Sequence, residues 1–128
     1  MFSDKELAYL RTQRLARIAT SSTRGQPDVA PVGYEFDGTA FYIGSVDMER
    51  TIKYKNILEN SKVALVVDDL EAIDPWKPRG MKFHATATIE DREGAKRLRL
   101  RPERYWSWGI DASPFESGKP VIKKQRLS

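Results

Sequence analysis

The chain has 128 residues, 40% of them hydrophobic and 31% charged, which is typical of a single folded domain rather than a disordered chain. It contains no cysteine and one histidine, which excludes disulfides, thiolate zinc sites and cysteine nucleophiles and argues against a metal site. The formal net charge is +4, and ten of the 22 lysine and arginine residues lie beyond Asp91, which indicates affinity for an anion.

Neither a membrane segment nor a targeting segment is predicted. No apolar run approaches the roughly 18 consecutive residues that a membrane helix needs. The N-terminal "MFSDKELAYL" lacks the apolar centre of a signal peptide. We therefore expect a cytoplasmic protein with no membrane partner.

The first part of the chain predicts one helix followed by three strands. Ser3 and Glu6 form a capping box, which predicts a helix from Asp4 to about Gln13. The run "LARIAT" predicts a strand over residues 15–20, closed by the turn-rich "SSTRGQP". The segment "DVAPVGYEF" predicts a second strand, and Asp37-Gly38 predicts a two-residue hairpin turn into a third, "TAFYIG".

The second part predicts another helix and two or three more strands. A helix is expected from about Met48 to Asn60, followed by the strand "KVALVVDD", which is apolar enough to be buried on both faces. The segment "DLEAIDPWKPRG" predicts a stiff loop, and "MKFHATATIE" alternates like a strand with one apolar face. A short turn should then precede a last strand around Tyr105 to Gly109.

The order of these elements predicts the fold class and the domain limits. Hairpin-length connections favour a mainly antiparallel closed sheet with helices at its ends, rather than alternating parallel units. The expected folded domain covers residues 1–110. Residues 111–128 have the composition of a basic tail that is mobile or docks on a partner.

The start of the second helix is the first candidate site. Arg50 and Lys53 are three residues apart and should share one face, although the positive end of a helix dipole disfavours cations. A phosphate bound there would gain charge-assisted hydrogen bonds and a favourable dipole. The alternative is a solvated helix face on which Asp47 and Glu49 already compensate the dipole, and the residues alone leave both interpretations open.

Glycine, proline and aromatic residues give weaker signals. Gly33 and Gly44 could let a flat ligand approach the backbone, but either glycine could equally mark a bulge. Pro31 has no N–H for a sheet, which places its strand at an edge, at a bulge or under a ligand. His84 is expected at a surface or interface rather than as a catalytic base. Four aromatic residues could stack on a planar ring, form a subunit contact or pack in the core: Trp76, Tyr105, Trp106 and Trp108.

Several segments together resemble one known family. They are "LARIAT", "GQPDVAPVGYEFDGTAFYIGS", "RTIKYKN", "KVALVVDD", "DPWKPRG" and "RPERYWSWGI". The series resembles the pyridoxamine 5'-phosphate oxidase-like proteins of the flavin-binding split-barrel superfamily, and within it the PPOX-class F420-dependent oxidoreductases. The resemblance covers about residues 3–110 and implies a six-stranded antiparallel split β-barrel that works as a homodimer, with cofactor sites between the subunits.

The resemblance also implies roles for particular residues. Lys53, with Arg50 and Thr51, would hold the cofactor phosphate, and Ser45 would contact the ribityl or phosphate region. Three residues would lie against the flavin or deazaflavin ring: Pro31, Val32 and Gly33. Trp76, Trp106 or Trp108 could cover the ring or shape the substrate pocket, and no residue is assigned as a catalytic acid.

The function implied by the resemblance is hydride transfer from reduced F420 to a small organic electrophile. FMN on the same scaffold is the alternative cofactor, and a non-catalytic carrier of either cofactor is the alternative function. The basic C-terminal third favours F420, because its polyglutamate tail is anionic. A nucleic-acid partner would use "KRLRLRPER" and "KKQRLS", but interspersed acidic residues and the lack of a recognised motif argue against it.

Overall fold

The computed structural model describes residues 1–127, which form two helices, one 3-10 turn and ten strands. Helix α1 is Asp4–Thr12, the 3-10 turn is Met48–Arg50, and helix α2 is Ile52–Glu59. The strands are β1 Leu15–Ser21, β2 Pro27–Gly33, β3 Glu35–Phe36, β4 Phe41–Ile43, β5 Lys62–Ala72, β6 Lys77–Arg92, β7 Ala95–Trp108, β8 Phe115–Glu116, β9 Lys119–Pro120 and β10 Lys123–Arg126.

Eight of these strands form one curled antiparallel sheet. Their order is β2-β1-β5-β6-β7-β4-β3, with β10 added on β7, while β8 and β9 pair separately. Because only Tyr34 separates β2 from β3 along the chain, the two ends of this path must approach each other, and the sheet curls into a half-barrel. The prediction of a mainly antiparallel β fold with two helices is confirmed, whereas the six-strand count is not.

The concave side of the sheet holds the core. Four alternate residues of β6 are each at most 3% exposed, as the sequence pattern predicted: Met81, Phe83, Ala85 and Ala87. Phe83 packs edge-to-face on Phe41 of β4, with 4.8 Å between the ring centroids. The alternation of β6 therefore fixes which face of the sheet is buried.

Two segments predicted as loop or turn belong to long strands. The predicted stiff loop before Met81 is largely a hairpin, in which β5 and β6 continue to a turn at residues 73–76. The sequence pattern did not predict this pairing because its cross-strand pairs are polar. Asp69, for example, faces Arg79 and binds its guanidinium at 2.7 Å. The turn predicted before Tyr105 is a bulge within β7, where the register shifts between Arg104 and Pro102.

Two smaller corrections concern a turn and the C-terminal segment. Phe36 pairs with Phe41, so four residues rather than two connect β3 and β4, and the Asp37 carboxylate accepts the N–H groups of Thr39 and Ala40. The segment from residue 111, separated above as a basic tail, contributes β10, which pairs with β7 along Lys123–Arg126. Ser128 lies outside the described residues.

Gly109 at the end of β7 supports a stability prediction. Its φ is +69°, and an added Cβ would overlap the Pro78 carbonyl oxygen and lie 2.9 Å from the Arg79 Cβ. Gly25 also has a positive φ, +81°, but nothing lies within 4 Å of an added Cβ. We expect Gly109→Ala to lower the free energy of unfolding by about 2–5 kcal/mol, because overpacking adds to backbone strain. Gly25→Ala should lower the free energy of unfolding only by the cost of the backbone strain, about 1–2 kcal/mol. Equal losses in urea titrations would contradict the packing argument.

Candidate functional site

A sharp corner connects β4 to α2. Asp47 adopts a left-handed conformation with φ 51°, and Thr51 is extended, so the chain forms a 3-10 turn before the helix begins at Ile52. The Thr51 hydroxyl accepts the Tyr54 N–H at 3.2 Å and donates to the Met48 carbonyl at 2.7 Å. The helix start predicted at Met48 is therefore wrong, and Arg50 precedes the helix instead of sharing a helical face with Lys53.

Lys53 lies in the first turn of α2 and is only 8% exposed. It is on the buried side of the helix with Asn56, whose amide donates to the Thr20 hydroxyl of β1 at 3.0 Å. Within residues 1–127 the Lys53 ammonium forms no ion pair, and the first turn of α2 contains no acidic residue. A cation at the positive end of a helix is unfavourable unless an anion compensates it.

A cleft of about 470 Å³ lies beside this corner. We call it the glycine cleft, because Gly33 at the end of β2 and Gly44 after β4 both line it. An added Cβ at Gly44 would meet nothing within 4 Å, so open space adjoins the backbone there. Ser45 also lines the cleft, with its hydroxyl 3.2 Å from the Val46 carbonyl oxygen. Gly33 and the adjacent pair Gly44 and Ser45, selected from two segments of the sequence, thus meet in one cleft.

The opposite wall of the glycine cleft comes from the β6–β7 hairpin, which the sequence analysis missed. Its lining includes Arg92, Lys96 and Arg97. Lys96 pairs with Asp91 at 2.9 Å, and this hydrogen bond is the main cause that raises the Lys96 pKa. The hairpin could have been found from Glu93-Gly94, since both residues have positive φ in a two-residue turn of the kind that Asx-Gly pairs usually form.

The other predicted site residues are not in the lining of the glycine cleft. Pro31 is exposed on β2 and faces Arg17 of β1, whereas Val32 is only 6% exposed and points into the core. Arg50 is exposed, and Thr51 caps the helix. Any contact that Val32 makes with a ligand in the cleft must therefore use its backbone.

The convex face of the sheet carries a continuous row of paired residues. From β2 to β10 the register brings together Pro31, Arg17, Val66, Lys82, Trp106 and Lys124. The Lys82 ammonium lies 4.4 Å from the Trp106 ring centroid, and His84 packs against the same indole at 4.7 Å. His84 thus lies on an exposed strand face, as expected, and Trp106 is half-buried beside cations.

The four aromatic candidates occupy different environments. Tyr105 is fully buried in the core, and Trp76 is 57% exposed in the β5–β6 turn. Trp108 is half-buried on the convex face, with its indole over Gly80. Trp76, Trp106 and Trp108 remain available to a ligand or to a second subunit, whereas Tyr105 does not.

Comparison with known proteins identifies the family. Residues 2–126 match the profile of the pyridoxamine 5'-phosphate oxidase family. The chain belongs to this family. It is 37% identical over 121 residues to the 5a,11a-dehydrotetracycline/5a,11a-dehydrooxytetracycline reductase of Streptomyces rimosus. The match covers 86% of this chain and 84% of that protein.

Solved structures support the same fold at lower sequence identity. A heme-binding protein from Mycobacterium smegmatis superposes with a TM-score of 0.74 at 14% identity, covering 98% of this chain and 59% of that chain. A FAD-binding protein from Mesorhizobium loti superposes with a TM-score of 0.65 at 18% identity, covering 79% of this chain and 87% of that chain. These likenesses confirm the split-barrel fold of the pyridoxamine 5'-phosphate oxidase-like superfamily.

Among residues 1–127, no helix is both long and apolar enough to cross a membrane. The same part of the chain contains no group of three or more histidine, aspartate or glutamate side chains placed to hold a metal ion.

Proposed function

We propose that this chain is a homodimeric oxidoreductase that uses reduced F420 to reduce a small organic electrophile. The observation that carries the proposal is Lys53 in the first turn of α2, a side chain only 8% exposed whose ammonium has no ion pair within residues 1–127, just after the corner that borders the glycine cleft. The similarity to the reductase from Streptomyces rimosus supports an oxidoreductase activity in general, with reduction of the substrate as the direction of the reaction.

The corner fits a phosphate group. A helix leaves its first N–H groups without partners inside the helix. The Thr51 hydroxyl accepts the N–H of Tyr54. The N–H groups of Ile52 and Lys53 therefore remain for an anion, beside the Lys53 ammonium. Arg50 is exposed just before the helix and adds a second cation that could reach the phosphate. Together these groups would satisfy several phosphate oxygens with charge-assisted hydrogen bonds.

The glycine cleft fits the ring end of such a cofactor. Gly33 and Gly44 present backbone without side chains, so a planar ring could approach closely, and Ser45 offers a hydroxyl between the ring and phosphate regions. Bound F420 would supply the hydride, as FMN would if it were the cofactor. The chain's own residues would position the ring and exclude water, and no side chain is assigned a proton-transfer role.

The convex face is where we place the second subunit. Val29 is 68% exposed on the edge strand β2, and the row from Pro31 to Trp106 combines apolar groups with cations that one chain leaves uncovered. A partner lying on this face would also bring its own residues to the edge of the glycine cleft at Gly33. In that arrangement Trp76, Trp106 or Trp108 of the partner could cover the ring.

Native mass spectrometry with parallel titrations of F420 and FMN tests this proposal. We expect a mass of two chains that binds two F420 molecules, and reduced F420 should be oxidised when an acceptor is added. Two FMN per dimer without F420 binding would favour the alternative cofactor. Binding without turnover on any acceptor would favour a carrier, and a monomer that binds neither cofactor would contradict the proposal.

A further inference from the structure

One cation of the glycine cleft is held in place by the chain itself. Arg97, near the start of β7, lines the cleft, and its Nε–H donates to the Glu90 carboxylate at 2.9 Å. The Cζ of the same guanidinium lies 4.2 Å from the ring centroid of Tyr42, which also lines the cleft. The Tyr42 hydroxyl in turn donates to the Asp37 carboxylate at 3.0 Å. The guanidinium therefore rests on a ring that is itself fixed by a hydrogen bond.

The terminal N–H groups of Arg97 are available to a ligand. The bond to Glu90 uses only the donor at Nε, and within residues 1–127 the donors at Nη1 and Nη2 have no hydrogen-bond partner. The Arg97 side chain is 23% exposed, and no fully buried side-chain nitrogen or oxygen in the described chain lacks a partner. The unused donors are therefore open to solvent, and the glycine cleft is the open space that Arg97 lines. Glu90 fixes the guanidinium without occupying these donors.

The other charged residues of the cleft are placed differently. Arg92 is exposed and forms no ion pair within residues 1–127, so no carboxylate fixes its orientation. Lys96 is paired with Asp91, and its ammonium is a point charge rather than a planar fork of donors. Glu35 also lines the cleft, but it belongs to β3, on the other side of β4 from β7. Arg97 is therefore the preorganised donor of the cleft.

We propose that Arg97 is a catalytic residue, which binds the carbonyl oxygen of an α,β-unsaturated acceptor and stabilises the enolate that forms there. This inference rests on the proposed function, in which reduced F420 supplies the hydride. As the hydride bonds to the far carbon of the C=C bond, that π bond breaks and its electron pair moves onto the carbonyl oxygen. Donors that are already in place stabilise such an oxyanion strongly. A proton from water then bonds to the other carbon, so the acceptor is reduced and the cofactor is oxidised.

The layout of the cleft favours a conjugated carbonyl over a simple one. We expect the cofactor ring at Gly33 and Gly44, and the register that pairs Ile43 with Leu98 brings Gly44 next to Arg97. In a conjugated acceptor the oxygen and the carbon that receives the hydride lie at opposite ends of the conjugated system. The oxygen can therefore contact the wall while the carbon faces the ring. In a simple ketone these two atoms are directly bonded, so an oxygen held by Arg97 keeps the carbon away from the ring.

Binding of 4-nitrophenol to the full chain tests Arg97 without cofactor or catalysis. The phenolate form of this probe is a flat oxyanion, as an enolate is, and it absorbs visible light. Titrating its absorbance against pH, with and without protein, gives the affinities of the phenolate and of the neutral phenol. We expect the phenolate to bind about tenfold more tightly. Arg97→Gln should abolish this preference, and Arg97→Lys, which keeps the charge but loses the planar fork, should reduce it about threefold.

Arg101→Gln is the matched control, because Arg101 is exposed on the same strand and does not line the cleft, and the variant loses the same charge. It should keep the phenolate preference of the wild type. The inference is overturned if the phenolate does not bind, if the wild type binds both forms equally, or if Arg97→Gln and Arg101→Gln have the same effect. If circular dichroism shows that Arg97→Gln does not fold, Arg97→Lys decides instead, and a wild-type preference in that variant overturns the inference.

Steady-state assays with reduced F420 test the catalytic role. We expect 2-cyclohexen-1-one to be reduced to cyclohexanone, and the ketone to be reduced no further. Arg97→Gln should lower kcat about 100- to 1,000-fold with KM nearly unchanged, because an oxyanion donor acts mainly in the transition state. Arg101→Gln should keep the wild-type kcat.

The outcomes of these assays separate the inference from the proposed function. An unchanged kcat in Arg97→Gln, or faster reduction of cyclohexanone than of 2-cyclohexen-1-one, would overturn the inference while leaving F420 use intact. The same holds if the enzyme oxidises reduced F420 with other acceptors but not with this enone. If neither F420 nor FMN bound, the proposed function would fail, whereas the 4-nitrophenol result would still stand.

Discussion

Lys53→Met is expected to weaken binding of F420 or FMN about 10- to 100-fold. The Lys53 side chain is only 8% exposed, its ammonium has no carboxylate partner in the described chain, and it lies at the positive end of α2. A hydrogen bond to a charged group contributes about 1.5–3 kcal/mol, which corresponds to this range of dissociation constants. Methionine keeps most of the side-chain volume, so the packing beside Asn56 and Ile57 should be preserved. Isothermal titration calorimetry measures the change directly.

Lys55→Met is the matched control, because Lys55 is exposed on the same helix. It should leave cofactor affinity nearly unchanged, since a solvated ammonium contributes little. A second readout separates a binding role from a structural one. Removing a cation from the positive end of a helix should leave the cofactor-free protein at least as stable as the wild type. An unaltered dissociation constant, or a clear loss of stability in the cofactor-free variant, would contradict the assignment of Lys53 to the phosphate.

Local patterns in the sequence predicted the elements whose partners are close along the chain. The capping box of Ser3 and Glu6 forms as predicted, and α1 ends at Thr12, one residue from the expected limit. The alternation of β6 correctly assigned the buried face, because the two-residue period of a strand depends on one segment alone. Family resemblance added the antiparallel split-barrel fold, which no single segment contains.

Features that depend on distant partners were missed. The β5–β6 hairpin is held by cross-strand pairs such as Asp69 with Arg79, which look like loop residues when they are read one at a time. The bulge at Pro102 keeps β7 continuous, although a proline within a strand pattern normally argues for a break. Strand β10 could not be inferred, because its position depends on pairing with β7 and on Glu6, at the other end of the chain.

The candidate site was predicted in part for the same reason. Gly33 and Ser45 were selected from different segments, and the fold brings them to one cleft. The cations of the β6–β7 hairpin were not selected, because their proximity to Gly44 follows from the pairing of β4 with β7. The burial of Lys53 was also invisible in the sequence, since it depends on where α2 begins and on how that helix packs against β1.

The second large expected effect concerns the buried carboxylate of Glu6. Glu6 is 0% exposed and accepts hydrogen bonds from the Tyr105 hydroxyl at 2.7 Å, the Ser107 hydroxyl at 2.6 Å and the Ser3 N–H at 2.9 Å. The Lys123 ammonium lies at 3.2 Å. Burial and, second to it, the hydrogen bond to Glu6 raise the pKa of Tyr105 to about 12, so its hydroxyl remains a donor at neutral pH. One carboxylate therefore connects α1, β7 and β10.

These contacts make stability depend on pH in a defined direction. Burial raises the Glu6 pKa, but the hydrogen bonds from Ser107, Ser3 and Tyr105 outweigh it and hold the pKa below 4.5, the value of an unperturbed group. Because the folded-state pKa is lower than that of the unfolded chain, the ionised carboxylate stabilises the fold at neutral pH. This contribution is complete above the unfolded-state pKa and is lost as the pH falls through the folded-state pKa.

Glu6→Ala should lower the free energy of unfolding at pH 7 by about 3–5 kcal/mol, because it leaves the buried Ser107 hydroxyl without its acceptor and removes the shorter acceptor of the Tyr105 hydroxyl and one of the two carboxylates at Lys123. Asp4→Asn is the control, since Asp4 is an exposed acid in the same helical turn, and it should cost under about 1 kcal/mol. Urea titrations at pH 7 and pH 3.5 measure both variants. Between these two values the wild type should lose more stability than Glu6→Gln, which has no carboxylate to protonate at this position. Equal losses for the wild type and Glu6→Gln would mean that the acid sensitivity of the fold arises from other carboxylates, and that the network around Glu6 does not control how α1 and β10 are held on the sheet.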